Sequence, residues 1–289
     1  MRRLRGSVPA STSSVLVLSG ALVWLYADVV AALVRQWTTD EDFSHGFFVA
    51  PLAVYFAWER REALRRTRIQ PSWAGLFLLA GSLLLFVAGQ FGSELFLTRV
   101  SLVGVLAGLV VLMAGIRHLR IVLFPLAFLL LMVPLPAIIF NQIAFPLQLL
   151  ASQVGETAIA ASGVPVLREG NVLVLPGRTL EVAEACSGIR SLMSLLTLAI
   201  VLGYFTEQRP GARVAIALAA IPIAVVANAA RVAGTGVASY WVSPAAADGF
   251  FHTFSGWLVF VVALGGLFVF HRALDLLRFR WARVRGGGE

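Results

Sequence analysis

The chain has 289 residues, 59% of them hydrophobic and only 13% charged. A soluble domain carries roughly 25% charged residues, so the composition excludes a water-soluble protein and points to an integral membrane protein. The net charge is +8 and lysine is absent. The arginines cluster between apolar runs, a pattern of membrane topology and not of nucleic-acid binding.

The chain opens on "MRRLR" followed by a long apolar run. A basic start of this kind mimics a secretory signal, but about 20 apolar residues exceed a signal core, so the run is read as a retained first span. Eight spans are expected, at 14–34, 44–58, 73–91, 95–114, 119–136, 187–205, 212–231 and 255–272. The stretch 138–162 carries Asn141, Gln142, Gln148, Gln153 and Glu156. It is expected to be an amphipathic helix lying at the interface or packed within the bundle.

In "NVLVLPGRTLEV" two alternating, β-branched runs flank Pro176-Gly177, a turn dipeptide, which predicts a small β-hairpin. With eight spans all five arginine clusters fall on one side, which the positive-inside rule makes the cytoplasm. The expected fold is therefore an all-α integral membrane bundle of about eight transmembrane helices, with one interfacial helix and one extracytoplasmic β-hairpin. It forms a single domain over 1–289, with a membrane core at 14–272 and a cytoplasmic tail at 273–289. Both termini are expected in the cytoplasm.

One cysteine, Cys186, is present, in "EVAEACSGIRSL" just ahead of the sixth span. A single thiol excludes an intramolecular disulfide and a multi-cysteine metal site. At the outward start of a helix, free N–H groups and the helix dipole lower a thiol's pKa and favour the nucleophilic thiolate. The plainer reading is a small buried hydrophobe. Arg231, in "VVANAARVAGTG", is expected at the outward end of the seventh span, where it is either an interfacial anchor or an electrostatic partner for the thiol. Asn228, three residues earlier, shares its helical face and is placed to orient it.

His252, in "DGFFHTFSGW", stands just before the eighth span, either as a headgroup-level polar residue or as a proton carrier. Going down span six and back up span seven returns the chain to the level of Cys186, so the three residues meet on one face. A thiol, an imidazole and a cation for the oxyanion are the equipment of a thiol transpeptidase. No HExxH pair or paired intramembrane aspartates point to another protease chemistry, and no cofactor or metal is expected.

Four stretches carry a family resemblance: "DEDFSHGFFVAPLAVYFAW", "EVAEACSGIRSL", "ANAARV" and "FFHTFSG". In order and spacing they resemble the exosortase/archaeosortase family over nearly the whole chain. The bacterial branch fits better, because the archaeal branch has Arg where this chain has His252. The resemblance implies a membrane-embedded cysteine transpeptidase of the bacterial inner membrane, with its site at the periplasmic face. It implies Cys186 as nucleophile, with Arg231 and His252 as the second and third catalytic residues.

Implied substrates are membrane-tethered proteins with a C-terminal signal: a Pro-Glu-Pro type motif, one transmembrane helix and an Arg-rich tail. The signal would be cleaved through a thioester and passed to water or to an acceptor nucleophile that the sequence does not identify. Partners are thus those substrates and the lipid bilayer, and not nucleic acid. His45 matches the family pattern, and a helix-cap or substrate-contact role is expected for it. Ser187 and Gly188 adjoin the thiol. Arg190 lies one turn below it, and Glu184 either pairs with Arg190 or Arg231 or is simply solvated. His118 and His271 fall on the cytoplasmic side and are set aside. The competing class is a transporter or export-machinery subunit without covalent chemistry.

Overall fold

A computed structural model describes the backbone of residues 12–182, 188–242 and 249–286, and the side chains of 17–18, 20–182, 190–242 and 254–278. Cys186, Ser187 and Glu184 lie outside the described residues, and Gly188 and His252 are described in backbone only. Two compact units divide the chain between Pro136 and Ala137.

The first unit is helical. It holds α1 (Thr12–Thr39), a 3-10 turn at Glu41–Phe43, α2 (Gly46–Glu59), α3 (Arg61–Arg66), α4 (Ala74–Phe91), α5 (Leu95–Met113) and α6 (Ile116–Phe128), and a second 3-10 turn closes it at Leu129–Met132. The buried residues of α4 are Gly75, Ser82 and Gly89, seven apart and so on one face. That small-residue stripe lets α5 approach closely, because a Cβ at Gly108 would stand 2.9 Å from the Leu79 backbone nitrogen and one at Gly89 2.8 Å from Thr98 Cγ2. Where lipid removes most of the hydrophobic drive for helix association, such close packing is a main source of cohesion. Tyr26 and Ser101 share a buried hydrogen bond of 2.9 Å that ties α1 to α5.

The second unit begins with α7 (Ala137–Ala161). Three short strands follow, β1 (Leu167–Glu169), β2 (Val172–Leu175) and β3 (Arg178–Glu181), and then α8 (Gly188–Thr206), α9 (Pro210–Trp241) and α10 (Gly249–Gly286). Leu192, Leu195 and Ala199 of α8 pack with Ile216, Ala220 and Ala224 of α9 and with Ala263 and Leu267 of α10 in one buried core.

Each of the eight apolar stretches contains a described helix, but the count of about eight spans is not confirmed. Five described helices are long and apolar enough to cross a membrane: Ala74–Phe91, Leu95–Met113, Ala137–Ala161, Pro210–Trp241 and Phe254–Arg278. At 14 and 13 residues, α2 and α6 reach only about 20 Å, well short of a hydrocarbon core of about 30 Å. The third of the five, α7, is the helix expected to be interfacial. By length and composition it qualifies as a span, and its polar residues have another use, described below.

The predicted hairpin is present as β2–β3, with Leu175 paired to Arg178 across Pro176-Gly177. Gly177 has φ +79°, the conformation a Pro-Gly turn of type II requires at its second position. A third strand, β1, adds to it in antiparallel register, with Glu169 opposite Val172 across Gly170-Asn171. Gly170 has φ +66°, and Gly-Asn is itself a hairpin signal. The sequence reading missed it.

Candidate functional site

The second unit places the chemistry-bearing residues, starting from the sheet. Leu173 and Leu175 of β2, with Leu180 and Val182, turn to one side and pack with Ala151 and Ile159 of α7 and Ala229 and Val232 of α9. Burying a side chain such as Leu173 stabilises by about 1.5–3 kcal/mol. The sheet is also pinned by polar contacts. Ser152 Oγ donates to the Gly170 carbonyl at 2.9 Å. Arg168 Nε donates to Glu156 Oε2 at 2.9 Å, and Asn171 Nδ2 donates to Gln148 Oε1 at 3.4 Å. Gln148, Ser152 and Glu156 are spaced by four, one face of α7. The polarity that argued against a span is therefore the face that grips the sheet.

The helix carrying Arg231 differs from the expectation. It runs to Trp241 and does not stop at 231, so about 15 Å of helix lies beyond the arginine. The sequence "VAGTGVASYW" looks like a breaker because of its glycines and hydroxyls. Thr235, Gly236 and Ser239 are instead buried. A Cβ at Gly236 would stand 2.6 Å from Ile159 Cδ1, so small residues here serve close packing against α7. Arg231 is thus part-way along a helix and half-buried, and not at the helix end.

Its guanidinium lies across α10 at Gly256. A Cβ there would be 3.1 Å from Nη2, 3.2 Å from Cζ and 3.4 Å from Nη1. Three atoms of the planar group are almost equally close to that one point, so the plane rests on the glycine. His252 precedes Gly256 by four residues, one turn of the same helix. α10 starts at Gly249, so His252 belongs to its first turns and not to a loop ahead of it.

The level of α8 relative to Arg231 follows from shared neighbours. Leu192 of α8 and Ala224 of α9 line one recess of about 20 Å³, room for a single water, whose polar wall is Gln148 and Asn228. From that level α9 climbs about 10 Å to Arg231, and α8 leads back about 6 Å to its first residue, Gly188. On the other flank, Val182 is fully buried in the cluster that contains Ala229 and Val232, the residues bracketing Arg231. Both described ends of the segment 183–187, Val182 and Gly188, thus approach the stretch of α9 that holds Arg231. Asn228 is buried, one turn below Arg231, and Arg190 is half-buried in the first turn of α8.

His45 belongs to the first unit. It occupies the N-cap position of α2 but makes no capping bond with its side chain. The buried ring lies with Nε2 3.0 Å from the Leu131 carbonyl, so Nε2 carries the proton and donates to the closing 3-10 turn. Trp37 Nε1 donates to the neighbouring Met132 carbonyl at 3.1 Å. His45 and Trp37 together fasten the loop after α1 to that turn. In the same loop Asp40 Oδ1 accepts from the Asp42 N–H at 3.1 Å, so this acid shapes the backbone.

Sequence reasoning missed Gly256 and the Gln148, Ser152 and Glu156 face. The latter had a signal in its spacing of four, and Gly256 only in its place at the end of "FFHTFSG". It also set aside His271, which the structure places in a buried cluster with Glu207.

A guanidinium held against a helix, next to the start of another helix, presents fixed positive charge at one point in a low-dielectric surround. Such a point stabilises a thiolate or a tetrahedral oxyanion. The chain matches the family model described as transmembrane exosortase over residues 37–269. No protein with a curated description and no solved structure matches it.

Proposed function

The chain belongs to the transmembrane exosortase family, and from that premise we propose a membrane-embedded cysteine transpeptidase that removes C-terminal sorting signals through a thioester. The observation that supports this most directly is the approach of both flanks of the cysteine segment, and of the α10 turn after His252, to Arg231. In this reading the Cys186 thiolate attacks the scissile carbonyl. A C–S bond forms and the oxyanion is met by Arg231 and by the free N–H groups at the start of α8. Collapse breaks the C–N bond, and His252 protonates the departing amine. Water or an acceptor amine then displaces the thiolate, with His252 taking the proton. Arginine stays protonated at any working pH, so proton transfer falls to the histidine.

The substrate is a membrane-tethered protein bearing a Pro-Glu-Pro type motif, an apolar helix and an Arg-rich tail. Its own helix fixes the scissile bond at one depth, and residues on helices meet it there with less positional freedom than loop residues have. Hydroxylamine separates the possible outcomes. Purified protein in proteoliposomes is given such a substrate with and without the amine. A hydroxamate at the new C-terminus is the expected product, because hydroxylamine intercepts a thioester. Cleavage that yields only carboxylate at saturating hydroxylamine removes the covalent step. Absence of cleavage for every tagged substrate favours a transporter or export subunit.

We further propose an inner-membrane location with both termini in the cytoplasm and the β1–β3 sheet on the periplasmic side. The five arginine clusters motivate this. A periplasm-active reporter inserted after residue 175 is expected to be on. A signal only from a cytoplasm-active reporter there puts the site on the wrong face.

A further inference from the structure

At the opposite end of α8, α9 and α10 from Arg231 lies a second constellation of chemistry-bearing residues, Glu207, His271 and Asp275, and we propose that it binds a divalent transition-metal ion of the zinc type. His271 follows His252 by nineteen residues of one helix, about 28 Å, so this cluster is separate from the site above.

Glu207 directly follows α8, and its backbone is fixed on both sides. Its N–H donates to the Gly203 carbonyl at 3.1 Å, and its carbonyl accepts from Arg213 Nε at 2.8 Å. The side chain is 7% exposed. Arg278 Nη1 donates to Oε2 at 2.8 Å. The other oxygen, Oε1, is buried without a hydrogen bond, as is Nδ1 of His271, and the two face each other at 3.4 Å. His271 is 9% exposed, with Nε2 3.6 Å from Asp275 Oδ2. One ligand atom from each of Glu207, His271 and Asp275 can be taken with all three within 4.8 Å of one another.

These separations are long for hydrogen bonds, which lie at about 2.7–3.2 Å. The 3.4 Å between Oε1 and Nδ1 suits two ligands that share a metal, whereas Nε2 is on the other edge of the ring and cannot bind the same ion. Zinc bonds of about 2.0–2.2 Å in tetrahedral geometry put neighbouring ligand atoms about 3.3–3.5 Å apart. Oε1 and Nδ1 are buried and face each other without hydrogen-bond geometry, so each is left with unspent ligand capacity. A cation between them takes up that capacity. Asp275, whose side chain is 47% exposed, has room to turn in as third ligand. Water completes the tetrahedron. Imidazole with carboxylates is a donor set for zinc and neighbouring first-row ions. Arg278, held on Oε2 and 3.9 Å from Asp275, partly neutralises the acids and marks the limit of the site's affinity. The metal would clasp the loop after α8 to α10.

The test uses the full chain in detergent, stripped with chelator and titrated with Zn²⁺. About one zinc per chain is expected after desalting, with a zinc-dependent rise in Tm. Asp275→Asn, at a half-exposed position, is expected to weaken binding at least 10-fold, the lower end of what losing even an outer-sphere partner costs. His271→Ala is expected to abolish it, and Cys186→Ala to leave it unchanged. No stoichiometric zinc, or zinc retained equally by the Asp275 and His271 variants, reduces the cluster to ion pairs and overturns the proposal. Zinc lost with Cys186→Ala overturns it as well, since the thiol would then be the ligand.

Discussion

Cys186→Ala is expected to insert and fold like the parent chain and to leave a tagged substrate at full length. Removal of a nucleophile that forms the covalent intermediate costs on the order of 10⁴-fold or more. Cys186→Ser is expected to fail almost as completely. Fixed positive charge and helix N–H groups hold a thiol in its ionised form near neutral pH. A serine hydroxyl has a far higher pKa, and the same surroundings do not ionise it. The measurement is substrate size in membranes that contain matched amounts of each variant. Normal tail removal by Cys186→Ala would falsify the cysteine mechanism outright, whatever the family.

The next largest effect is expected at Arg231. Arg231→Ala removes the proposed oxyanion partner, and loss of one such donor costs about 10²–10³ in turnover. Arg231→Lys is expected to recover little, because a point-charged ammonium cannot lie flat on Gly256 as the guanidinium does. Gly256→Val tests the same contact without touching the charge. Its side chain enters the space 3.1–3.4 Å from the guanidinium and displaces it. A shift of about 1 Å in a catalytic group is enough for roughly 10²-fold. Single-turnover rates for Arg231→Lys, Gly256→Val and Gly256→Ala should therefore fall, with alanine the mildest. A Gly256→Val protein that works at the parent rate would detach Arg231 from the reaction.

Much of the architecture was legible because apolar runs and turn dipeptides act locally. Pro176-Gly177 marked its hairpin, and the starts of α4, α5 and α9 fall within two residues of the spans read from the sequence. What misled was residue chemistry whose meaning is tertiary. Gln148 and Glu156 read as reluctance to enter a bilayer, yet they are spent on Asn171 and Arg168. Arg231 was taken as the end of a helix that in fact continues to Trp241, with Gly236 packed on Ile159. Gly256 figured only as the last residue of "FFHTFSG", and its contact was not legible there, since what it accommodates is an arginine 25 positions away. Of the candidate site, Arg231 and Asn228 were picked out from their own polarity in apolar surroundings. His45 was noted for its resemblance alone, and its contact with Leu131 was not foreseeable from the sequence.

The cluster that joins Ala151, Leu173 and Val232 has a consequence for how the protein is made. Its first and last members are separated by about 80 residues, a stretch that takes on the order of 4–16 s to synthesise at 5–20 residues per second. Until α9 emerges, the sheet has only one of its two helical walls. Gly256 arrives later still, 25 residues after the arginine it seats. A chain stalled before α10 would hold the thiol but lack both the histidine and the surface on which the guanidinium rests. The seat of Arg231 is thereby completed only after the helices that precede α10 have been made.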